Sequence, residues 1–566
     1  AVIPRPNAVV MGRGEFRLSA KTVVVATGDA VVEAEKLAAT LRRATGYALT
    51  VQAEAPAGAA AIAMRIDSTR AQELGPEGYQ LVVTPRGVVM AAATSAGLFY
   101  GGQTLRQLLP PEINGANLVR RSWRAPSVDI TDRPRFELRG ALVDPARHFI
   151  ALTDLKKLID GFAFHKLNRV HIHFTDDQGW RLPIEPTDAE LTQHALTRAE
   201  FDNLIRIGSR RRETMVGRAA TTFDGVQRFD GVPHGGSYTR AEIAELVAYT
   251  RERHIEIIPE VEMPGHVGAA IAANPGLGNY PERQLEVNRA WGVHEATLRP
   301  TERNIAFMRL VIIKVMQMFP DSRLIHIGGD EAPKTEWVAT NAVAKKRDEL
   351  RRAGRLEAVL REGPLDNEEH LQAYLVREMA KLVVANGRTL AAWDEVLDAE
   401  VPLPKDKIAV WSWRDIRRGV AAAQAGHPVV MMPTDRTYLD APPTEDPNEP
   451  IGQPAVKTVE QAYAWNRDPD PVPDDLPQEA TRNLLGTIAA FWGEHAYDFD
   501  TLQYFVFTRL PAFAEAAWTD ERLTEAPTAL AELKRSLTVH ERRFDALGLR
   551  YRRPAQPRMR VRDLPN

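Results

Sequence analysis

From residue 136 onward the chain alternates short apolar stretches with amphipathic helical patterns, and this alternation limits the folds open to it. The apolar stretches have the length of strands, and the patterns between them repeat at helical spacing. The predicted strands are Leu138–Asp144, Arg169–Asp176, Glu256–His266, Leu324–Glu331, Thr389–Glu395, Lys407–Trp413, Pro428–Tyr438 and Leu485–Glu494. Eight strands with intervening helices predict an α/β fold of the closed (β/α)8 TIM-barrel type. An open doubly wound sheet is the second choice, because no Gly-x-Gly-x-x-Gly fingerprint follows any of these strands.

The residues before the barrel form a separate small α+β domain in this interpretation. Strand-like runs surround two helical patterns, at Val31–Arg43 and Ser95–Leu109, and a polar segment containing Pro126 and Pro134 then separates this unit from the rest. We therefore assign residues 1–125 to an N-terminal domain. Residues 126–566 form the barrel domain, which ends in a C-terminal helical segment.

Composition excludes several classes of function. The 72 Lys and Arg residues nearly balance the 75 Asp and Glu residues, for a net charge of −3, so the chain lacks the basic footprint of a nucleic-acid-binding protein. The absence of cysteine excludes disulfides, zinc–thiolate sites, iron–sulfur clusters and thiol nucleophiles. No apolar stretch reaches the roughly 18 residues of a membrane span. The chain begins at Ala1 rather than Met, which fits removal of a leader.

Polar and aromatic side chains gather at the ends of the predicted strands, where barrel enzymes carry their chemistry. Asp330-Glu331 is the most informative pair, because it follows an apolar run that ends in Gly328-Gly329. Adjacent residues on a regular strand point to opposite faces, whereas two glycines loosen the strand end and allow both carboxylates to face one ligand. An isolated Asp-Glu pair is ordinarily a solvated loop pair. The remaining residues at strand ends are Arg147, His148, Asp176, Asp177, Glu262, His266, Trp393, Trp411, Trp413, Tyr438, Asp440, Trp492 and Glu494.

The tryptophans among these residues indicate a sugar. Trp393, Trp411 and Trp492 at three strand ends are suited to stack against the apolar faces of a sugar ring. The alternative is a metal site: His171 and His173 lie on one face of a strand and are able to share a divalent metal, as in the amidohydrolases. We favour buried supporting histidines, because both precede the strand end and no later set of histidines at strand ends completes a metal shell.

Seven motifs resemble the family 20 glycoside hydrolases, the β-N-acetylhexosaminidases, over nearly the whole chain. They are Asp144-Pro145-Ala146-Arg147-His148-Phe149, Asp176-Asp177-Gln178-Gly179-Trp180-Arg181 after His165-Lys166-Leu167-Asn168, Pro259-Glu260-Val261-Glu262-Met263-Pro264-Gly265-His266, His326-Ile327-Gly328-Gly329-Asp330-Glu331, Trp393-Asp394-Glu395, Tyr438-Leu439-Asp440 and Trp492-Gly493-Glu494. The resemblance implies that residues 1–125 are the noncatalytic domain that commonly precedes this barrel.

The resemblance also implies a mechanism and residue roles. In this family the 2-acetamido oxygen of the substrate attacks the anomeric carbon and gives an oxazolinium intermediate with retention, an exception to the scheme with two enzyme carboxylates. Glu331 is then the general acid and base, Asp330 orients the acetamido group, and Tyr438 donates a hydrogen bond to its oxygen. Asp176 and His266 form a pair that supports the acid. The predicted sugar contacts are Arg147, Asp440 and Glu494 for hydroxyls and Trp393, Trp411 and Trp492 for the walls.

The leading hypothesis is therefore an exo-acting enzyme without a cofactor that removes terminal GlcNAc or GalNAc. A metal-dependent amidohydrolase using His171 and His173 is the alternative, and a silent sugar-binding protein is the third hypothesis. Glu331 needs a carboxyl that is protonated near the working pH, which we expect burial and nearby negative charge to supply. No pattern selects an oligomeric state. A periplasmic or secreted location is our expectation from the habit of enzymes that trim polymers.

Overall fold

The computed structural model describes residues 1–217, 227–465, 472–473 and 475–553 of the 566. The N-terminal unit is one seven-stranded sheet with the order β1-β7-β5-β6-β4-β2-β3. Its strands are β1 (Ala8–Leu18), β2 (Val23–Val25), β3 (Val51–Gln52), β4 (Ala61–Ile66), β5 (Tyr79–Thr84), β6 (Gly87–Ala92) and β7 (Trp123–Asp132). Its helices are α1 (Ala30–Thr45), α2 (Ala71–Leu74) and α3 (Ser95–Leu108). Helices α1 and α3 contribute apolar side chains to a core that the sheet shares.

Two strands of this sheet, β1 and β7, were not predicted, and β7 extends the N-terminal unit to residue 132, beyond the expected boundary at 125. Pro126 made this segment read as a linker, because proline lacks the N–H that a central strand needs. Strand β7 pairs with β5 only from Val128 onward, whereas Pro126 faces Glu15 of β1. The proline therefore lies where the strand has a single neighbour.

From residue 138 on, eight parallel strands form a closed barrel, which confirms the predicted fold class. Together with short strands outside the barrel, the strands of this region are, in chain order, β8 (Leu138–Val143), β9 (Arg169–His173), β10 (Thr175–Asp176), β11 (Gly179–Trp180), β12 (Arg210–Arg211), β13 (Met215–Val216), β14 (Arg228–Phe229), β15 (His234–Gly235), β16 (Glu256–Glu260), β17 (Leu324–His326), β18 (Thr389–Trp393), β19 (Ile408–Ser412), β20 (Val429–Met431) and β21 (Leu484–Phe491). The barrel consists of β8, β9 and β16 to β21, and the short strands between them form two-stranded hairpins and loops.

Helices surround the barrel and cover its outer face. They are α4 (Leu152–Phe164), α5 (Asp188–His194), α6 (Arg198–Arg206), α7 (Arg240–Arg251), α8 (Gly268–Ala273), α9 (Glu302–Met318), α10 (Thr335–Ala339), α11 (Ala342–Arg352), α12 (Leu356–Glu362), α13 (Glu368–Ala385), α14 (Ile416–Gln424), α15 (Thr434–Thr437), α16 (Val459–Tyr463), α17 (Gln478–Asn483), α18 (Phe499–Trp518), α19 (Glu521–Thr524) and α20 (Ala529–Leu547). Short 3-10 turns occupy Ser68–Arg70, Pro111–Asn114, Pro275–Leu277, Asp394–Leu397 and Lys405–Lys407.

The barrel strands are buried on both faces, which is why they read as continuous apolar runs in the sequence. Their inward side chains form a separate core that contains Trp393, Trp411 and Trp492. The predicted C-terminal helical segment corresponds to α18 to α20, and residues 554–566 lie outside the described residues. In the described part of the chain, no helix combines the length and apolar character needed to cross a bilayer.

Candidate active site

The Asp330-Glu331 pair lies in a loop that begins where strand β17 ends at His326. Gly328 and Gly329 have φ angles of 69° and 100°, and Glu331 itself has a φ of 46°. A Cβ atom at Gly328 would lie 1.7 Å from Oε2 of Glu262, so only glycine fits there. The glycines therefore end the regular strand, as the sequence indicated. The side chains of Asp330 and Glu331 are then not bound to point to opposite faces of a strand.

A buried amide on helix α13 fastens this loop. Gln372 donates from Nε2 to the carbonyl oxygen of Gly329 at 2.7 Å, and it accepts a hydrogen bond from Nζ of Lys334 at 2.6 Å. Lys334 also donates to the carbonyl oxygen of Ala332 at 2.9 Å. The loop is thus held on both sides of Asp330-Glu331. Gln372 was not among the predicted site residues, and its signal in the sequence is a polar residue among the apolar positions of a helix that packs on the barrel.

His266 links the acidic pair to the aspartates that follow strand β9. Its Nδ1 lies 3.0 Å from Oδ2 of Asp177 and 3.4 Å from Oδ1 of Asp176, and its Nε2 lies 3.4 Å from Oε2 of Glu331. Burial alone would lower the pKa of His266, but Asp176, Asp177 and Glu331 raise it well above its usual value. An imidazolium therefore faces Glu331. The predicted supporting pair needs a refinement: Asp177 lies nearer to His266 than Asp176 does, and the two aspartates share it.

Asp176 mainly holds Arg147. Its Oδ2 lies 2.7 Å from Nη2 of Arg147, while Nη1 of the same guanidinium lies 3.0 Å from Oδ2 of Asp144. The arginine packs 5.2 Å from the ring of Trp492 and also donates from Nε to Gln178 at 3.1 Å. Two buried carboxylates and an aromatic face thus fix Arg147 beside the pocket wall.

The histidines of the metal alternative both contact one buried carboxylate, Glu260. His171 Nε2 and His173 Nδ1 lie 3.1 Å and 2.5 Å from its Oε2, and His326 Nδ1 lies 2.9 Å from its Oε1. Trp393 donates from Nε1 to that same Oε1 at 2.9 Å. Burial would raise the pKa of Glu260, but the surrounding histidines lower it well below its usual value. The carboxylate and the imidazoles therefore contact one another in the barrel interior, and atoms of His171, Glu260 and His326 lie close enough together to surround one metal ion. Glu260 itself was quoted only as part of a motif.

The aromatic residues form a connected set around Tyr438. The ring of Trp492 lies 5.9 Å from those of Tyr438 and Trp393, and Trp413 stacks on Tyr438 at 6.3 Å with an angle of 21°. Trp411 is fully buried, and its ring packs edge-on against His171 and His326. Trp413, whose indole N–H donates to Glu395 at 3.0 Å, joins the set although it was not among the predicted walls.

The two acidic residues of the pair have opposite electrostatic surroundings. Burial raises the pKa of Asp330 to about 6. The neighbouring charge of Glu331 also raises this pKa, whereas the charge of His266 lowers it. The contact with His266 instead lowers the pKa of Glu331, whose side chain is 42% exposed. The expectation of a raised pKa for Glu331 is therefore wrong for the free protein, because the contact with the His266 imidazolium outweighs the effect of burial. Glu262, buried near Asp330, has a pKa well above its usual value because of burial and the charge of Asp330.

Several buried polar atoms of this region lack a hydrogen-bond partner among the described residues. They include Oδ1 of Asp330, Oε2 of Glu494 and Nε1 of Trp492. Asp440 lies nearby, and burial together with the charge of Glu494 raises its pKa to about 8. Buried polar atoms are almost always paired in native proteins, so a set of unpaired ones indicates a place for a ligand with many hydroxyl or amide groups.

A parallel barrel whose strand ends bring carboxyl groups, an imidazolium, an arginine and tryptophans together at one end has the features of a glycoside hydrolase. Comparison with known families agrees: residues 136–521 match the catalytic domain of glycosyl hydrolase family 20, and residues 1–133 match domain 2 of the same family. The chain belongs to glycosyl hydrolase family 20, the β-N-acetylhexosaminidase family. This membership confirms the resemblance seen in the motifs and rules out the amidohydrolase alternative.

Relatives of known name and solved structures resemble this chain over nearly its whole length. The chain is 33% identical over 555 residues to a β-hexosaminidase of Porphyromonas gingivalis, which covers 98% of this chain, and it spans 64% of that relative's length. It resembles the solved family 20 β-N-acetylhexosaminidase of Streptomyces coelicolor with a TM-score of 0.78 at 28% identity, over 98% of both chains. A Streptomyces plicatus β-hexosaminidase variant in complex with its product GlcNAc gives a TM-score of 0.77 at 29% identity, over 98% of this chain and 96% of that one.

Proposed function

We propose that this protein is an exo-acting, retaining β-N-acetylhexosaminidase in which the substrate's own acetamido oxygen is the nucleophile. The observation that carries the proposal is Asp330. Its carboxyl is buried beside Glu331, and its Oδ1 has no partner among the described residues. A carboxylate held in that way suits the N–H of an acetamido group and the positive charge that develops on it.

The reaction proceeds in two steps. In the first, Glu331 gives its proton to the glycosidic oxygen while the acetamido oxygen forms a bond to the anomeric carbon and the bond to the aglycone breaks. Asp330 accepts a hydrogen bond from the acetamido N–H, and Tyr438 donates a hydrogen bond to the acetamido oxygen. In the second, the Glu331 carboxylate takes a proton from water, whose oxygen attacks the same carbon and opens the oxazolinium ring. Two inversions at one carbon give net retention.

The acid function of Glu331 is completed by the substrate. In the free protein its carboxyl is partly exposed and faces the His266 imidazolium, both of which favour the ionised form. A sugar seated against Glu331 removes that water, and desolvation favours the protonated form. His266 then stabilises the carboxylate that remains after the proton has been donated.

The remaining predicted residues hold the sugar. Arg147 is fixed by Asp144 and Asp176, so its position is set before any ligand arrives. In this proposal Asp440 and Glu494 form hydrogen bonds with the ring hydroxyls. Trp393, Trp411 and Trp492 are the walls in this proposal, although Trp411 is fully buried and supports the others from the barrel interior. The Streptomyces plicatus variant in complex with GlcNAc supports GlcNAc as a terminal sugar here.

The direct test compares two chromogenic substrates that differ only at C2. We expect hydrolysis of the β-N-acetylglucosaminide to exceed that of the β-glucoside by orders of magnitude, because the glucoside lacks the internal nucleophile. Comparable rates on both would reject substrate assistance. The matched β-N-acetylgalactosaminide measures tolerance at C4, and a dialysis against EDTA should leave all rates unchanged if catalysis requires no metal.

We also propose a periplasmic or secreted location, since glycoconjugates and structural polysaccharides that carry such sugars lie outside the cytoplasm. Fractionation of the source cell tests this directly. Recovery of the activity in the cytoplasmic fraction alone would contradict it.

A further inference from the structure

A cavity of about 470 Å³ lies between the N-terminal unit and the outside of the barrel. Helices α1 and α3 form one side, and α4, α7 and α20 form the other. The ends of α4 and α7 that line the cavity are those that precede strands β9 and β16. The cavity therefore lies toward the amino ends of the barrel strands, on the side opposite the candidate active site.

Three arginines from three different helical regions line this cavity. Arg43 belongs to α1, Arg106 to α3, and Arg253 follows α7. Arg106 is held in place without a carboxylate: its Nε donates to Oδ1 of Asn114 at 3.0 Å and its Nη1 to Oε1 of Gln103 at 2.6 Å. Neutral amide oxygens orient this guanidinium, and the charge of Asp160 acts on it without forming an ion pair with it.

The carboxylates that line the cavity, Glu33, Asp160 and Glu252, each lie within ion-pair distance of a basic side chain other than Arg43 or Arg106. Asp160 accepts from Nε of Arg253 at 2.6 Å and from the hydroxyl of Tyr249 at 2.9 Å. Glu33 lies 2.7 Å from Nζ of Lys36 and 2.9 Å from Nε2 of His254. Within the described ranges, neither Arg43 nor Arg106 forms an ion pair. Two like charges thus remain beside the same space.

The pKa of Arg106 reflects this arrangement. Burial, and next the charge of Arg43, lower the pKa of Arg106 to about 10. A guanidinium resists deprotonation, so the repulsion persists at neutral pH. An anion between the two arginines replaces repulsion by attraction, and the forked guanidinium donors match the oxygens of a sulfate or phosphate group.

We infer that this cavity is a binding site for a sulfate or phosphate oxyanion, held between Arg43 and Arg106. The volume lies within the range of small-molecule sites, so it accepts a free inorganic ion or the sulfate ester of a sugar. This role is independent of the proposed hydrolase chemistry.

The test is isothermal titration calorimetry on the full chain at constant ionic strength. Sodium sulfate, sodium phosphate and glucose 6-sulfate are the probes, with sodium chloride and glucose as neutral or monovalent controls. Glucose lacks the acetamido group, so the sugar probe does not depend on the candidate active site. We expect saturable binding of the oxyanions and none of chloride or glucose. A tighter Kd for glucose 6-sulfate than for sulfate supports a sugar-borne ligand, and the reverse order supports the free ion.

The variants are Arg43→Gln, Arg106→Gln and the control Arg86→Gln. Arg43 and Arg86 are both exposed arginines of the N-terminal unit for which no ion pair is found in the described structure, so their replacement leaves the fold intact. We expect Arg43→Gln and Arg106→Gln each to weaken oxyanion binding by about tenfold or more, since a charge-assisted pair is lost, and Arg86→Gln to bind as the parent does. Equal affinities in the parent and Arg43→Gln, or equal heats for sulfate and chloride, would overturn the inference. Hydrolysis of the chromogenic substrate by Arg43→Gln should equal that of the parent.

Discussion

Replacement of Asp330 by Asn changes one charge and almost no volume, which makes it the sharpest probe of the proposed site. The residue is buried with a side-chain exposure of 15%, so its charge acts across a medium less polar than water. Two unit charges about 4 Å apart interact by about 4 kcal/mol at an effective dielectric constant of about 20. The oxazolinium charge is only partly developed in the transition state, so roughly half of that, about 2 kcal/mol, is lost, and kcat should fall by about 30-fold.

The measurement is kcat on the chromogenic β-N-acetylglucosaminide together with Kd for GlcNAc. An interaction made mainly in the transition state lowers kcat far more than it weakens ground-state binding. A loss of affinity as large as the loss of kcat would refute the assigned role. The Glu331→Gln variant is the companion, since it removes the proton donor and leaves the acetamido contact intact.

The pH dependence of this variant gives a second readout. The pKa of Asp330 is about 6 because burial favours the neutral carboxyl, so the parent residue is protonated at pH 5 and ionised at pH 7. A protonated Asp resembles Asn in charge. The ratio of kcat/KM for the parent to that for Asp330→Asn should therefore rise between pH 5 and pH 7. A ratio that stays constant over this range would contradict the ionised role.

Further predictions concern three other residues. His266→Gln removes the imidazolium that favours the Glu331 carboxylate, so the pKa of Glu331 should rise; the alkaline limb of kcat/KM against pH should move to higher pH while kcat falls. Gln372→Met keeps the volume but removes the hydrogen bond to Gly329, so kcat should fall about tenfold while KM changes by less than about twofold. A purely structural loss would instead lower the fraction of active protein and leave its kcat unchanged. Burial raises the pKa of Glu515 from 4.5 to about 7, so the free energy of unfolding should fall by roughly 3 kcal/mol as pH rises from 4.5 to 7 on account of this residue. Glu515→Gln should remove that loss, and thermal unfolding should show a higher Tm than the parent at pH 8 and little difference at pH 4.5.

The barrel was predictable because its strands are buried on both faces and therefore stand out as apolar runs. The strand ends were predictable for the same reason, since polar or aromatic residues such as Asp330 and Trp492 come soon after each run. Strands β1 and β7 escaped because one is exposed over most of its length and the other contains Pro126. Neither pattern shows that the two strands pair with each other.

The contacts within the site were less accessible to sequence reasoning. Asp176 and Asp177 are adjacent and alike, so only the coordinates assign the closer contact with His266 to Asp177 and the closer contact with Arg147 to Asp176. The lowered pKa of Glu331 depends on its contact with His266, a residue distant in sequence, and a motif does not encode that contact. Gln372 contacts the loop from a helix distant in sequence, and a single polar position gives no hint of its partner.

The central claim is that the acetamido oxygen of the substrate attacks the anomeric carbon. The measurement that tests it most directly is kcat/KM on a series of chromogenic glucosaminides whose N-acetyl group carries none, one, two or three fluorine atoms. Fluorine withdraws electrons from the carbonyl oxygen, so the account predicts a progressive decrease along the series. A kcat/KM that stays constant along the series, and so does not depend on the nucleophilicity of that oxygen, would contradict the account.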